Sequence, residues 1–438
     1  MKHKQKRLSA SLSVDATVYP HFLKQLMKQA HRKTVSKRIL ISYKRGTYKF
    51  LTFNVIRAAV LAVAGFLFGM LLVASDRTAA APKIMPAEIL ITVQASRQAA
   101  FVSELRIESR ELTQALIKAA KDNVSAPPLI PDVDILIRQD GTQSAYRLEP
   151  SGNLWNETTS VRLALPKEAS EKLLKLAKGL RDRHYGRLIA WDDAEGLIPR
   201  KSIFTVTDID SGLTFRVQRR AGSDHADVQP VTKEDTRIMK HIYRDKWSWK
   251  RKAVLVHAEG KWIAASMNGM PHGGDGIPGN GFSGHFCIHF YLSSTHKSDQ
   301  PDLAHQLMVH KAAGDLQPYF DAASPVVLAK TAVVVMNHQD PELLSQLAEG
   351  LPKEELDRFV LEMEQLSSIQ EQRRKREGNG SNGADEQEPV GESLSAKVTV
   401  PVTMESRNGS QHNTRCHFQF KRESVQSPWR FEQARLGE

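Results

Sequence analysis

The sequence predicts a membrane-anchored, multi-domain α+β protein. Its expected parts are a single N-terminal transmembrane helix, a small α+β domain, a β-rich catalytic-like domain and a C-terminal α+β domain. Three observations lead there. Basic charge is confined to the N-terminus, one long uncharged apolar run follows it, and short alternating strands then mix with amphipathic helical stretches along the rest of the 438-residue chain. That length accommodates several domains. A content of 41% hydrophobic and 25% charged residues is globular, which excludes a disordered or fibrous chain.

The tail comes first. Of the net charge of +12, residues 1–57 carry 14 Lys or Arg against the single acid Asp15, and the remaining chain is close to neutral. A nucleic-acid partner is therefore not expected, because the basic charge does not belong to the folded bulk. Residues 1–55 read as a basic cytoplasmic tail, with Phe22, Leu23, Leu26 and Met27 on one side of a short amphipathic helix. Residues 56–76 read as the transmembrane helix. The stretch 58–75 has no charge, and at helical rise it is long enough for a hydrocarbon core of about 30 Å. With basic residues before it and few charges after it, the N-terminus is placed in the cytoplasm and the bulk of the chain outside the cell membrane.

Residues 87–186 read as a small α+β spacer or recognition domain. AEILITVQ is a strand, SELRIESRELTQALIKAAKDN a helix, and DVDILIRQD with TQSAYRLEP alternates as strands joined at Asp140-Gly141. PKEASEKLLKLAKGLRDRHYG is a helix that opens at Pro166 and closes near Gly186. From 201 to 314 the pattern is β-rich, with hairpins expected around Asp210-Ser211-Gly212 and Glu259-Gly260. Beyond 324 a helical stretch runs to about residue 366. A polar low-complexity insert covers 376–395, and three strands close the chain. Helices followed by a curved sheet with a late Trp resemble the cone of the NTF2-like fold over 324–438. The resemblance implies a docking module for an envelope protein partner.

Function is expected in the β-rich part, where Gly, His and Asn crowd into MNGMPHGGDGIPGNGFSGHFCIHF and nine of the sixteen His lie between His225 and His310. Loops of this kind between strands are where chemistry concentrates. Cys287 is the candidate nucleophile. A thiol becomes useful when a neighbour takes its proton, and His285 and His289 share its face if the segment is a strand. His272 can fold back across the Gly-rich loop. Cys287 read alone is equally well a buried strand residue between Phe286 and Ile288. Only Cys416 accompanies it, which excludes a disulfide-rich scaffold and leaves one bridge open.

These residues resemble the active site of the YkuD-type L,D-transpeptidases. That family has a His-Gly pair, a stretch of roughly fifteen residues, then Ser/Thr-His-Gly-Cys-hydrophobic-Arg/Asn. His272-Gly273, His285, Cys287 and Ile288 match, whereas Gly284, Phe286 and His289 depart from the pattern. The resemblance covers about 201–314. It implies His272 as general base, a Cys287 acyl-enzyme, backbone N–H groups on the oxyanion and peptidoglycan stem peptides as substrate, with no cofactor.

The alternative is a zinc-dependent wall peptidase. His225-Ala226-Asp227 offers a His-x-Asp pair, and His285 and His289 would complete the ligands. A non-catalytic envelope scaffold is a third reading. Candidate substrate contacts are Arg219 for a carboxylate, Asn268 at the head of the Gly-rich segment, and Trp249 on a glycan groove. Core or strand-pair packing is the commoner role for such a Trp, and it is the reading favoured for Trp249. His305 lies in a helical stretch, 302–310, from which it would face the pocket.

Overall fold

The computed structural model describes residues 87–438 apart from Asp140, Asp275, His296, Lys297, residues 373–391 and Glu438. Residues 87–438 form one compact unit. The first sheet alternates apolar and polar residues strictly enough to bury one face. β1 (Glu88–Gln94) pairs in full antiparallel register with β2 (Val102–Glu108). The segment expected to be one long helix from Ser103 therefore opens as a strand. Leu105 and Ile107 are spaced for a strand face, and Ser109 caps a shorter helix, α1 (Arg110–Lys118), by accepting from the Leu112 N–H. β3 (Ala120–Asn123), β4 (Val133–Gln139), β5 (Thr142–Leu148), β6 (Leu154–Asn156) and β7 (Val161–Ala164) complete seven strands in the order β2-β1-β4-β5-β6-β7-β3. α2 (Lys167–His184) lays Leu173, Ala177 and Leu180 on that sheet.

After α3 (Trp191–Leu197) the chain closes a barrel. Its strands are β8 (Ile203–Asp208), β9 (Thr214–Ala221), β10 (Ala226–Pro230), β11 (Lys252–Ala258), β12 (Lys261–Met267) and β13 (Phe286–His289), with α4 (Lys233–Ile242) between β10 and β11. The cyclic order is β10-β13-β12-β11-β8-β9, all antiparallel, so no edge is left open. Val206, Phe215, Val217, Val228, Val256, Ile263, Met267, Phe286 and Ile288 fill the interior as a core of their own. The alternate residues face outward. On β11 and β12 these are Ala253, Leu255 and Ala264, which join a second core running from Ile89 to Ala434.

That second core is covered by α5 (Leu303–Ala313), which follows the short pair β14 (Ser294–Thr295) and β15 (Ser298–Pro301). α5 is capped by Asp302 and ended by Gly314 in the left-handed region, and it is buried on nearly every side. It packs on β11, β12 and β13 and against α7 (Pro325–His338), reached through α6 (Leu316–Ala322). α8 (Pro341–Leu347) and α9 (Lys353–Gln365) then lead into a four-stranded antiparallel sheet, β16 (Leu366–Glu371), β17 (Ser395–Ser406), β18 (Gln411–Lys421) and β19 (Arg430–Leu436). Lys311 on α5 is buried between Asp210 (3.1 Å) and Asp340 (3.3 Å). It thereby ties the β8–β9 turn to the cap of α8, and the two carboxylates hold its ammonium charged despite burial.

The fold class expected from sequence is corrected by this architecture. Among the described residues no helix is long and apolar enough to cross a membrane. The described chain is α+β, built on a seven-stranded sheet, a closed six-stranded barrel and a four-stranded sheet whose core is continuous with that of the first. The described residues are not a string of separate units, because the C-terminal sheet and the first sheet share one core. The expected basic tail at 1–55 and transmembrane helix at 56–76 lie outside the described residues, as does most of the insert at 376–395.

Candidate active site

Two neighbouring strands build the site. In β13, Phe286 and Ile288 point into the barrel core, so the two-residue period turns Cys287 and His289 to the outer wall. In β10, Ala226 and Val228 point inward and Asp227 points outward. The register places Asp227 opposite Cys287. The outer wall is dry here, with Cys287, Asp227, His225 and His289 each at most 6% exposed.

The Gly-rich loop between β12 and β13 brings His272 to the thiol. His272 and His285 exchange backbone hydrogen bonds of 2.9 and 2.8 Å, which fold the loop into a narrow hairpin. Two glycines make that closure possible. Gly284 has φ +78° and lies against the His272 carbonyl, and Gly273 has φ +71° with the His285 ring where a side chain would stand. An L-residue at either position would be strained and would also clash. The loop is pinned by Asn280, whose side-chain amide donates to the Pro230 carbonyl (2.8 Å) and whose backbone carbonyl accepts from the Thr236 hydroxyl (2.8 Å).

His272 Nε2 lies 3.3 Å from Cys287 Sγ, and His272 Nδ1 donates to the Met270 carbonyl at 2.8 Å. Because a carbonyl only accepts, Nδ1 carries a proton, and Nε2 is the nitrogen that faces the sulfur. The thiol has a second acceptor, Asp227 Oδ1, at 3.7 Å. Burial, then the Asp227 carboxylate, push the thiol up to about 12, and a hydrogen bond from Asn268 acts the other way. Burial and the Asp227 carboxylate thus both favour the protonated thiol beside the imidazole.

A row of histidines stands behind the thiol. His225 and His289 stack with centroids 4.3 Å apart, and His289 and His305 stack at 3.7 Å. His225 Nδ1 donates to the Ser294 carbonyl (3.0 Å), which turns Nε2 toward Asp227 Oδ1 at 3.3 Å. His305 Nδ1 meets Ser266 Oγ at 2.9 Å. Burial and the neighbouring imidazoles hold His289 well below the ordinary imidazole range, and burial followed by the Arg251 charge does the same to His305.

Of the residues expected from sequence, Cys287, His272, His285, His289, Asn268, His225 and Asp227 come together. His285 Nε2 lies 3.7 Å from Asp227 Oδ1. Trp249 is half exposed, with its ring 5.1 Å from that of His272. Arg219 is placed elsewhere. It is 1% exposed, bonded to Glu195 (2.7 Å) and to the carbonyls of Ile198 and Gly222, and stacked on Trp191, so its guanidinium fastens α3 to the barrel. The carbonyls of Met270 and Ser294, which set the two tautomers, carry no signal in sequence. The stacking of His305 on His289 was foreshadowed only by its helix following the strand. Both cysteines are free thiols.

A cleft of about 1040 Å³ opens beside Trp249, lined by Lys250, Arg251, Lys330 and His338 together with residues of α7 and β16. A smaller one of about 530 Å³ lies over the Gly-rich loop from Gly273 to Gly284. No family model, no curated protein and no solved structure matches this chain.

Proposed function

We propose that the protein is a cysteine-dependent acyl transferase or peptidase, working through a Cys287 acyl-enzyme with His272 as its base. The observation that carries this reading is the 3.3 Å contact between Cys287 Sγ and a His272 Nε2 whose tautomer is set by the Met270 carbonyl. A buried thiol raised in pKa is a poor free nucleophile, so its proton must leave as it attacks. Sulfur adds to the substrate carbonyl while Nε2 takes the thiol proton. The tetrahedral intermediate collapses to a thioester, and the leaving amine departs with that proton. A second amine or water then adds to the thioester carbonyl, giving its proton to His272, which passes it to the sulfur as the carbon–sulfur bond breaks and the Cys287 thiol is restored. The Asn268 amide, already donating to the sulfur, favours the charged form along the way.

Peptidoglycan stem peptides are the substrate class we propose, in the manner of the L,D-transpeptidases that residues 272–288 resemble. Support comes from the cleft beside Trp249. Its lining carries Lys250, Arg251 and Lys330 against the one acid Glu371, which pairs with Lys330 at 2.9 Å, so its net positive charge suits peptides bearing free carboxylates, and Trp249 links it to His272. Incubation of the full chain with stem tetrapeptide and an amine acceptor tests the reading. Product formation should survive chelator and disappear in Cys287→Ser. Turnover that persists in Cys287→Ser would remove the acyl-enzyme from the account.

A further inference from the structure

His225, Cys287 and His289 each turn one donor atom into the same dry space, all within 4.8 Å of one another. Three atoms no more than 4.8 Å apart have a common centre within about 2.8 Å of each, and Zn–N and Zn–S bonds of about 2.0–2.3 Å are reached by closing on that centre and turning the stacked His225 and His289 rings so that both in-plane lone pairs meet the ion. Asp227 Oδ1 stands at the rim, 3.3 Å from His225 Nε2 and 3.7 Å from Cys287 Sγ, where it can supply a fourth donor. We infer that these four residues bind a thiophilic divalent d-block cation of the zinc class, and that the bound ion takes the Cys287 nucleophile out of service.

Three independent features point to a cation. First, the hydrogen bond from His225 Nδ1 to the Ser294 carbonyl turns Nε2 toward Asp227 Oδ1, 3.3 Å away. A backbone carbonyl on the far nitrogen is the usual way a ligating imidazole is oriented. Second, His289 is 2% exposed and its Nδ1 has no hydrogen-bond partner, an arrangement that is costly in a dry wall. Third, the charges match. Two neutral imidazoles, one carboxylate and one thiolate sum to the opposite of a dication, and binding releases the thiol proton to solvent. The site differs from a hydrolytic zinc centre in using the sulfur itself as ligand. His272 lies outside the ligand set, and its Nε2 loses its proton donor when the sulfur is coordinated.

The inactivating half of this inference rests on the acyl-transfer reading, and the binding half does not. The test uses the full chain, stripped with chelator and titrated with zinc chloride against a chromophoric competitor. Cys287 and Cys416 alkylation are followed in the same samples by peptide mass. One zinc per chain is expected, with Cys287 alkylation slowed at least about tenfold and Cys416 unchanged. Both effects should vanish in His225→Ala and His289→Ala and survive in His272→Ala. His289→Gln, with thermal melting, guards against a misfolded variant. Cobalt(II) in place of zinc should give a sulfur-to-metal charge-transfer band that Cys287→Ser removes. Absence of zinc binding, or protection retained in both histidine variants, overturns the site. If zinc protects Cys287 but the stripped chain shows no turnover, the metal site stands and the acyl-transfer reading fails. If turnover is present and one equivalent of zinc leaves it untouched, the acyl-transfer reading stands and the inactivating half of this inference fails.

Discussion

The two cysteines are a controlled pair. Both are buried in the middle of antiparallel strands, both are free, and burial pushes each thiol up to about 12. Cys416, on β18, sits opposite Val400 among Phe418 and other apolar side chains of the large core. Cys287, on β13, sits opposite Asp227 with His272 Nε2 at 3.3 Å. Exposure and acidity alone do not separate them. What separates them is a proton acceptor of fixed tautomer within reach, which Cys287 has and Cys416 lacks among the described contacts. A structural thiol and a candidate nucleophile thus differ in their neighbours, and a neighbour is what each substitution below removes.

The largest expected effect is on turnover. Cys287→Ser should reduce it by on the order of a thousandfold or more, since the whole covalent route is lost, while Cys416→Ser should leave it within about twofold. Steady-state kinetics on the two variants checks this, and equal losses would erase the distinction between the thiols. Next comes His272→Ala, which should lower turnover by about 10²- to 10⁴-fold, the usual worth of a positioned base. Binding of the peptide, measured by titration calorimetry on the same variant, should change far less.

A smaller effect sharpens the electrostatics. Asp227 raises the Cys287 thiol, so Asp227→Asn should lower its pKa and speed alkylation of the substrate-free protein at pH 8, with Cys416 unaffected. Below the pKa the thiolate fraction gains about tenfold for each unit the pKa falls, so the rate ratio reads the shift directly. An unchanged rate would show that burial, not the carboxylate, governs the thiol.

The smallest effect concerns the scaffold that holds both thiols. His184, the last residue of α2 and bonded to Ser103, is held down to about 4 by burial, and His338 on α7 to about 3, against an ordinary 6.5. Both stay neutral in the folded chain and take up protons more readily when unfolded. The stability they contribute is complete above pH 6.5 and is lost as pH falls from there toward 4 and 3. Denaturant melts between pH 7 and pH 4 should show the loss, at up to about 1.4 kcal/mol per pH unit for each group. His184→Gln should flatten part of that slope.

Much of the site was legible in sequence, and the reason is local. The period of two puts His285, Cys287 and His289 on one face of a strand, and a Gly-rich stretch of fifteen residues returns His272 to it. Asp227 and His225 were legible only as a His-x-Asp pair, because their placement depends on the β10–β13 register, a contact across 60 residues. Arg219 gave no sign that its guanidinium is consumed by Glu195 and Trp191, since burial of a charge is decided by partners distant in the chain. Barrel closure was equally hidden. Alternating strands announce a sheet, but which strand meets which is a non-local outcome. The early helix expected from Ser103 failed where two apolar residues at i and i+2 meant a strand paired to β1.

The central claim is that Cys287 becomes covalently acylated. The most direct test is rapid-quench intact mass spectrometry of the full chain mixed with stem tetrapeptide, followed by peptide mapping. The account predicts an added acyl mass on Cys287, never on Cys416, that decays when an amine acceptor is supplied and that forms far more slowly in His272→Ala. Product accumulating with no adduct on Cys287 at any time, or with the adduct on another residue, would contradict it.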